Sequence, residues 1–483
     1  MRTLLLSKAD EHYLEKCARE HRFSYGIIIG HQADLTKTFV VHLARNNEED
    51  VDLEDLTEVG LTISSQALAS QWLSASKMCP GSFDVIGIFV SSVDDQSAEI
   101  KTAKKIFSEV FDILLKNNNS LGIYTTDLAQ SDYAFLSYSL ANKQVVCKSY
   151  TYGNGGTFSN MEFKFVDRPF EWIQIECSYD LEDILPIVET VRRINIEDQL
   201  KNVILAFRKT ILVSEVFLQN EFVEDTIDLQ TYIKKSKSKE EELKAAAANS
   251  ATTSDSDVSD ALRLMGSQGF VGGSEIIRAS ILLPVKCQLA KPTDIKVREF
   301  NGCLRMSGII STRIYCSARN SIADVKRYLR DDVLRSLTTR IQVYCDGLTD
   351  PYVTNEATFI SEPPRRVFFS LPSEGPSTST AVAVQFSEYL FRGEAPTVVV
   401  AQAKQILDVE LDPEAITMDA EGQPDDINFA NVLASGDQED DIRSTTSSMP
   451  NPELSRSLYM LGIAVALLVL MTSVALHYIL TDK

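Results

Sequence analysis

From Leu458 to Leu480 the chain reads LYMLGIAVALLVLMTSVALHYIL, without a single Asp, Glu, Lys or Arg. At 1.5 Å rise per residue a helix of this run spans roughly 30–35 Å, the thickness of a bilayer core. In lipid, only a helix satisfies such a backbone from within, and the Leu, Ala, Val and Met content suits one. The sequence therefore predicts a single C-terminal transmembrane helix over 457–480, with Leu458, Leu461, Ile463, Leu467, Leu468, Leu470, Val474 and Leu476 as its lipid-facing anchor. The N-terminus offers only Leu4–Leu6 as an apolar run before Asp10 and Glu11, too short for a signal-peptide core. The expected topology is tail-anchored, single-pass, with the N-terminal body cytosolic. Asp482 and Lys483 cancel in charge after the span, which favours the endoplasmic reticulum over the mitochondrial outer membrane.

The upstream body has the composition of a globular protein, 44% hydrophobic and 24% charged, and 483 residues are too many for one ordinary domain. Its net charge of −21 opposes nucleic acid, which selects Lys and Arg. Cys17, Cys79, Cys147, Cys177, Cys287, Cys303, Cys316 and Cys345 are scattered singly, with no CxxC pair. In a cytosolic compartment they read as reduced, buried thiols.

Strand-like and helix-like runs alternate over 1–227. Strands are expected at Thr3–Leu6, Tyr25–Gly30, Phe39–Leu43, Phe83–Val90, Leu121–Thr125, Ala134–Leu140, Gln144–Tyr150, Phe163–Val166 and Trp172–Cys177. Helices are expected at Asp10–Glu20, Ala67–Met78 and Ile100–Lys116, and again within Asp180–Gln219. Gly153–Gly156 reads as a hairpin turn. Residues 228–270 form a charged helix that frays into a Ser/Asp-rich linker, a natural domain boundary. A second, smaller α+β domain follows over 271–407, with Ser321 capping a helix whose Lys326, Arg327, Arg330 and Arg335 face water. From Asp408 to Asp441 there is no Lys or Arg among repeated acidic residues, so 408–456 reads as an acidic disordered tether.

No residue set carries a catalytic, cofactor or metal site. His12, His21, His31, His42 and His477 make no HExxH or H-x-H pair, and G-x-S-x-G, phosphate-loop and kinase signatures are missing. Asp94-Asp95 reads as loop solvation rather than a cation site. An alternative is a cysteine- or serine-dependent hydrolase whose site assembles in space, with Cys17 beside His12 or His21 as one arrangement. Vesicle-fusion proteins share the anchor but need heptads before it, and 408–451 has none.

Tyr25–Gly30, Phe39–Ala44, a helix, and then Cys79–Ser92 (CPGSFDVIGIFVSS) resemble the start of an MPN (JAB)-type α/β domain. In catalytic members that last strand leads into a G-x-x-H-S-H-P loop that binds zinc. Here Val90 and Ser92 stand at the two histidine positions, so the resemblance implies a degenerate metal loop and no catalysis. MCPGSFDVIGIFV, the later EPPRRVFFSLP (Glu362–Pro372) and the terminal anchor together resemble the odorant-response-abnormal protein four family. That resemblance implies a non-catalytic adaptor at the endoplasmic-reticulum membrane. Its partner would be the ubiquitin-fold-modifier-specific cysteine protease, with a link to folding or export of odorant-type seven-helix receptors.

Overall fold

A run such as Ile27-Ile28-Ile29 makes sense only in a strand covered on both faces. In the computed structural model the three side chains are fully buried, Ile27 and Ile29 in one core and Ile28 in another. The structure describes residues 2–21, 23–33, 36–47, 63–93, 99–121, 132–153, 155–167, 170–187, 194–249, 276–283, 302–348, 360–371 and 383–421. The anchor (Leu458, Leu461, Ile463, Leu467, Leu468, Leu470, Val474, Leu476), the 250–270 linker and the tether beyond 421 lie outside these. Among the described residues no helix is long and apolar enough to cross a membrane.

The first half is built from β1 (Thr3–Ser7), α1 (Lys8–Glu20), β2 (Phe23–Gln32), β3 (Lys37–Arg45), α2 (Ser65–Met78), β4 (Asp84–Ser92), α3 (Glu99–Leu121), β5 (Asp132–Ser139), β6 (Gln144–Thr151), β7 (Thr157–Asn160) and β8 (Glu162–Val166). The eight strands form one mixed sheet in the order β7-β6-β5-β4-β2-β3-β1-β8. Only Met161 separates the two edge strands in sequence, so the sheet curls until its edges meet. α1 fills the inside of the curl through Leu14 and Ala18, against Leu4, Leu6 and Leu136. Ser7 starts that helix as half of a capping box, its Oγ accepting from the Asp10 amide at 3.1 Å. Trp72 of α2 and Phe107, Phe111 and Leu114 of α3 cover the other face.

The second half supplies β9 (Ile173–Ile187), α4 (Ile194–Leu212), β10 (Glu215–Leu218), α5 (Leu229–Asn249), β11 (Ile276–Leu282), β12 (Gly302–Cys316), α6 (Ile322–Leu348), β13 (Ile360–Ser361), β14 (Arg365–Ser370), β15 (Gln385–Leu390) and α7 (Thr397–Leu407). Five strands make a second sheet, β10-β11-β9-β12-β13, with β14 and β15 as a separate antiparallel pair. Ser321 caps α6 as expected, its Oγ accepting from the Asp324 amide at 3.1 Å.

The fold corrects four expectations. Residues 180–187 are strand, not helix, because β9 pairs with β12 along its whole length, from Ile173↔Cys316 to Ile187↔Gly302. Long-range pairing overrides helical spacing there. The composition shift at 228–270 divides no core: β9 and β10, before it, share a sheet with β11–β13, after it. Tyr315, Phe369, Phe386 and Val399 also join the core of Ile27 and Trp72, and one compact unit runs from Met1 to Gln423. Third, Asp408–Glu421 belongs to that folded unit rather than to a disordered tether, with Val409, Ile416 and Glu421 buried. Fourth, Lys326 and Arg335 do not face water. α6 is covered on several sides, so Lys326 donates to Val223 O at 2.7 Å and Asp225 Oδ1 at 2.6 Å. Arg335 reaches back into a turn before β4.

Candidate functional site

The two motifs that carry the family resemblance lie almost three hundred residues apart in sequence and meet on one turn of α6. Cys79-Pro80-Gly81-Ser82 forms the turn between α2 and β4. Gly81 lies so close to the helix that a Cβ there would sit 2.4 Å from Tyr328 O and 2.7 Å from the Asp332 amide nitrogen. Only glycine permits that approach. Arg335 Nη1 binds the turn's carbonyls, Cys79 O at 3.0 Å, Pro80 O at 3.2 Å and Phe83 O at 3.0 Å.

From the other motif, Arg366 on β14 reaches the same helix. Its Nη1 donates to Asp332 Oδ2 at 2.6 Å and its Nη2 to Oδ1 at 3.0 Å, a bidentate pair with the two residues 1% and 0% exposed. Nε donates to Ser387 Oγ at 2.8 Å. Burial works to lower the guanidinium's pKa, but the Asp332 carboxylate outweighs it and the net shift is upward. An isolated charge could not sit here; a forked, hydrogen-bonded pair can.

Next to this pair lies a second one. Glu421, from the segment after α7, is buried and bonded to Arg340 of α6. Its Oε1 also accepts from the Ser311 amide at 3.0 Å, its Oε2 from the Arg366 amide at 3.0 Å, and its main-chain oxygen from Arg365 Nη1 at 3.0 Å. A cleft lined by Leu181, Met306, Gly308, Ile309 and Arg365 opens beside it.

A third polar cluster centres on His31 of β2. Its Nδ1 lies 2.8 Å from Ser82 O and its Nε2 3.0 Å from Asn320 Oδ1, with Phe83, Trp172 and Tyr328 edge-on around the ring. Burial pushes this imidazole's pKa down.

The residues singled out in sequence stand elsewhere. Val90 and Ser92 are buried in β4, and neighbouring Ser91 donates to Leu14 O at 2.7 Å. Cys17 is buried in α1, its thiol pushed up to about 11 by desolvation. Burial likewise raises Cys147 and Cys177, each to about 12, and raises Cys79 and Cys316 further. These shifts oppose the thiolate that a nucleophile or metal ligand requires. Among the described residues no group of three or more His, Cys, Asp or Glu could hold a metal ion. Asp94-Asp95 and Cys287 lie outside them. Sequence reasoning missed Asp332, Arg340, Arg366 and Glu421. One signal was available: paired arginines directly before the apolar run Val367-Phe368-Phe369.

The fold and the cluster define a mixed α/β protein whose signature residues converge on a buried charged core. The chain belongs to the odorant response abnormal 4-like family, whose model matches residues 26–418. It is 70% identical over 492 residues to the protein odr-4 homolog of Drosophila melanogaster, covering all of both chains. The protein odr-4 homolog of Gallus gallus is 19% identical, over 92% of this chain and 91% of that one. For Xenopus laevis the identity is 20%, over 94% and 96%. Among solved structures, the crystal structure of UfSP from C. elegans aligns with a TM-score of 0.41 and 10% identity, covering 85% of this chain and 57% of that one.

Proposed function

We propose that this chain is a non-catalytic adaptor of the odorant response abnormal 4 type, holding a partner enzyme at a membrane. The observation that supports this most is how the signature motifs are used. Gly81, Ser82, Arg366 and Asp332 are consumed in holding two sheets and a helix together, and burial raises the thiols of Cys17, Cys79, Cys147, Cys177 and Cys316 away from reactivity. In this reading the partner is the ubiquitin-fold-modifier-specific cysteine protease. The run Leu458–Leu480 anchors the complex in the endoplasmic-reticulum membrane, where odorant-type seven-helix receptors are made. Tethering acts through effective concentration: an enzyme held within reach of membrane substrates replaces a diffusive search with a local one.

The test is affinity purification of the full-length chain from detergent-solubilised endoplasmic-reticulum membranes. The protease is expected to co-purify in stoichiometric amount, and the purified chain alone is expected to leave the modifier precursor uncleaved. A preparation lacking the protease while the input contains it overturns the reading, as does cleavage by the chain itself.

A further inference from the structure

Residues 408–421 are held against the body as a peptide ligand would be. Most of the stretch is exposed, but three side chains are sunk into the fold: Val409 at 4%, Ile416 at 7% and Glu421 at 3% exposure. Between the last two, Thr417 pairs with Phe368 on the edge of β14 that faces away from β15. The Phe368 amide donates to Thr417 O at 3.1 Å, and the Thr417 amide to Phe368 O at 2.8 Å. At its upstream end Asp408 accepts from Tyr13 Oη at 2.7 Å and Asn47 Nδ2 at 2.9 Å. Main-chain pairing to a strand edge, an apolar anchor and a charged anchor are the elements of peptide recognition by strand addition.

The charged anchor is specific for a carboxylate. Both Glu421 oxygens face donors, the Ser311 amide and Arg340 on one and the Arg366 amide on the other, while Arg365 holds the main-chain carbonyl. An amide side chain would turn its NH2 against one of those donors. The cleft beside Gly308 and Ile309 adjoins Glu421, with Ile309 45% exposed along it.

We infer that the edge of β14, from Phe368 to the Ser311–Arg340–Arg366 socket, is a binding groove for an acidic peptide that pairs with the edge at one residue and turns into the socket through a short 3-10 turn, filled here in cis by Ile416–Glu421. The ligand class is a segment with an apolar residue followed five positions later by a carboxylate. Releasing the strap opens the groove to such a peptide from another chain.

The experiment uses the full-length chain, its E421Q and T417P variants, and a blocked synthetic peptide spanning Leu411–Gln423, made with Glu or with Gln at the position of Glu421. Hydrogen exchange of the Arg366 and Thr417 amides is expected to accelerate about tenfold or more in E421Q, the scale of a lost charged hydrogen bond. T417P removes the strand-edge donor and leaves the socket intact. Both variants are expected to bind the Glu peptide and to discriminate against the Gln peptide by about tenfold or more, while the occupied wild type binds neither. Unchanged exchange at Arg366 in E421Q overturns the inference, and so does equal binding of the two peptides. Either variant failing to fold leaves the other to decide; failure of both while wild-type exchange shows no protection at the Arg366 amide also counts against it.

Discussion

Arg366 and Asp332 face each other fork to fork, at 2.6 and 3.0 Å, in a part of the molecule that solvent does not reach. The pair joins β14 to α6 and lies directly beneath the Gly81 turn. Removing one partner leaves a desolvated charge behind. R366M alone is therefore expected to cost about 3–5 kcal/mol in denaturant unfolding, and the R366M/D332L double variant to recover most of that. R366K keeps the compensating charge but cannot fork, and is expected to fall between wild type and R366M. Single variants within about 1 kcal/mol of wild type would contradict this account.

Glu388 on β15 sets a pH dependence of one sign. Burial raises its carboxyl to about 7, against opposition from the Tyr389 amide and Lys77. A group whose folded pKa is raised gives stability that is complete below its ordinary value of 4.5 and is lost as pH rises through about 7. E388Q is expected to melt higher than wild type at pH 8 and to match it near pH 5. Equal melting temperatures at pH 8 would remove Glu388 from the argument.

His31 and His42 act with the opposite sign. Burial lowers both, with His42 Nε2 at 2.7 Å from Leu407 O. Stability from a depressed base is present above its ordinary pKa near 6.5 and is lost as pH falls below it, because the unfolded chain takes up the proton more readily. Asp324 opposes the lowering at His31 and Arg327 adds to it. The H31Q/H42Q variant is expected to lose less stability between pH 7 and pH 5 than wild type. An identical loss in both proteins would place the acid sensitivity elsewhere.

The thiols give a chemical readout. Cys17, Cys79, Cys147, Cys177, Cys316 and Cys345 are buried, and for the first five burial raises the pKa. In native protein at pH 7.5, iodoacetamide is expected to leave all six unmodified for hours by peptide mass spectrometry, and to label them within minutes in guanidinium. Rapid native labelling of Cys17 would revive the cysteine-hydrolase alternative.

Much of the first half was legible from periodicity. β2, β3, β4, β5 and β6 and helices α1, α2 and α3 fall where alternating and helical spacing put them, because each spacing reflects burial of a local face. The Gly153–Gly156 turn is a hairpin between β6 and β7, with Gly155 and Gly156 at positive φ. The charge cluster was not legible in this way. Arg335 and Arg327 lie on one helix of ordinary amphipathic spacing, yet one binds three buried carbonyls and the other is exposed.

The sequence by itself determined that this chain builds apolar strands and capped helices, and that short motifs at Cys79–Val90 and Glu362–Pro372 mark its family. Only the tertiary structure decided that β9 continues to Ile187, that two apparent domains share cores, and that Asp408–Glu421 is a folded strap rather than the first part of a tether. The reason is physical. Periodicity records which side of an element is covered, whereas the partner of a buried charge or a strand edge comes from chain tens to hundreds of residues away, and its identity leaves no trace in local spacing.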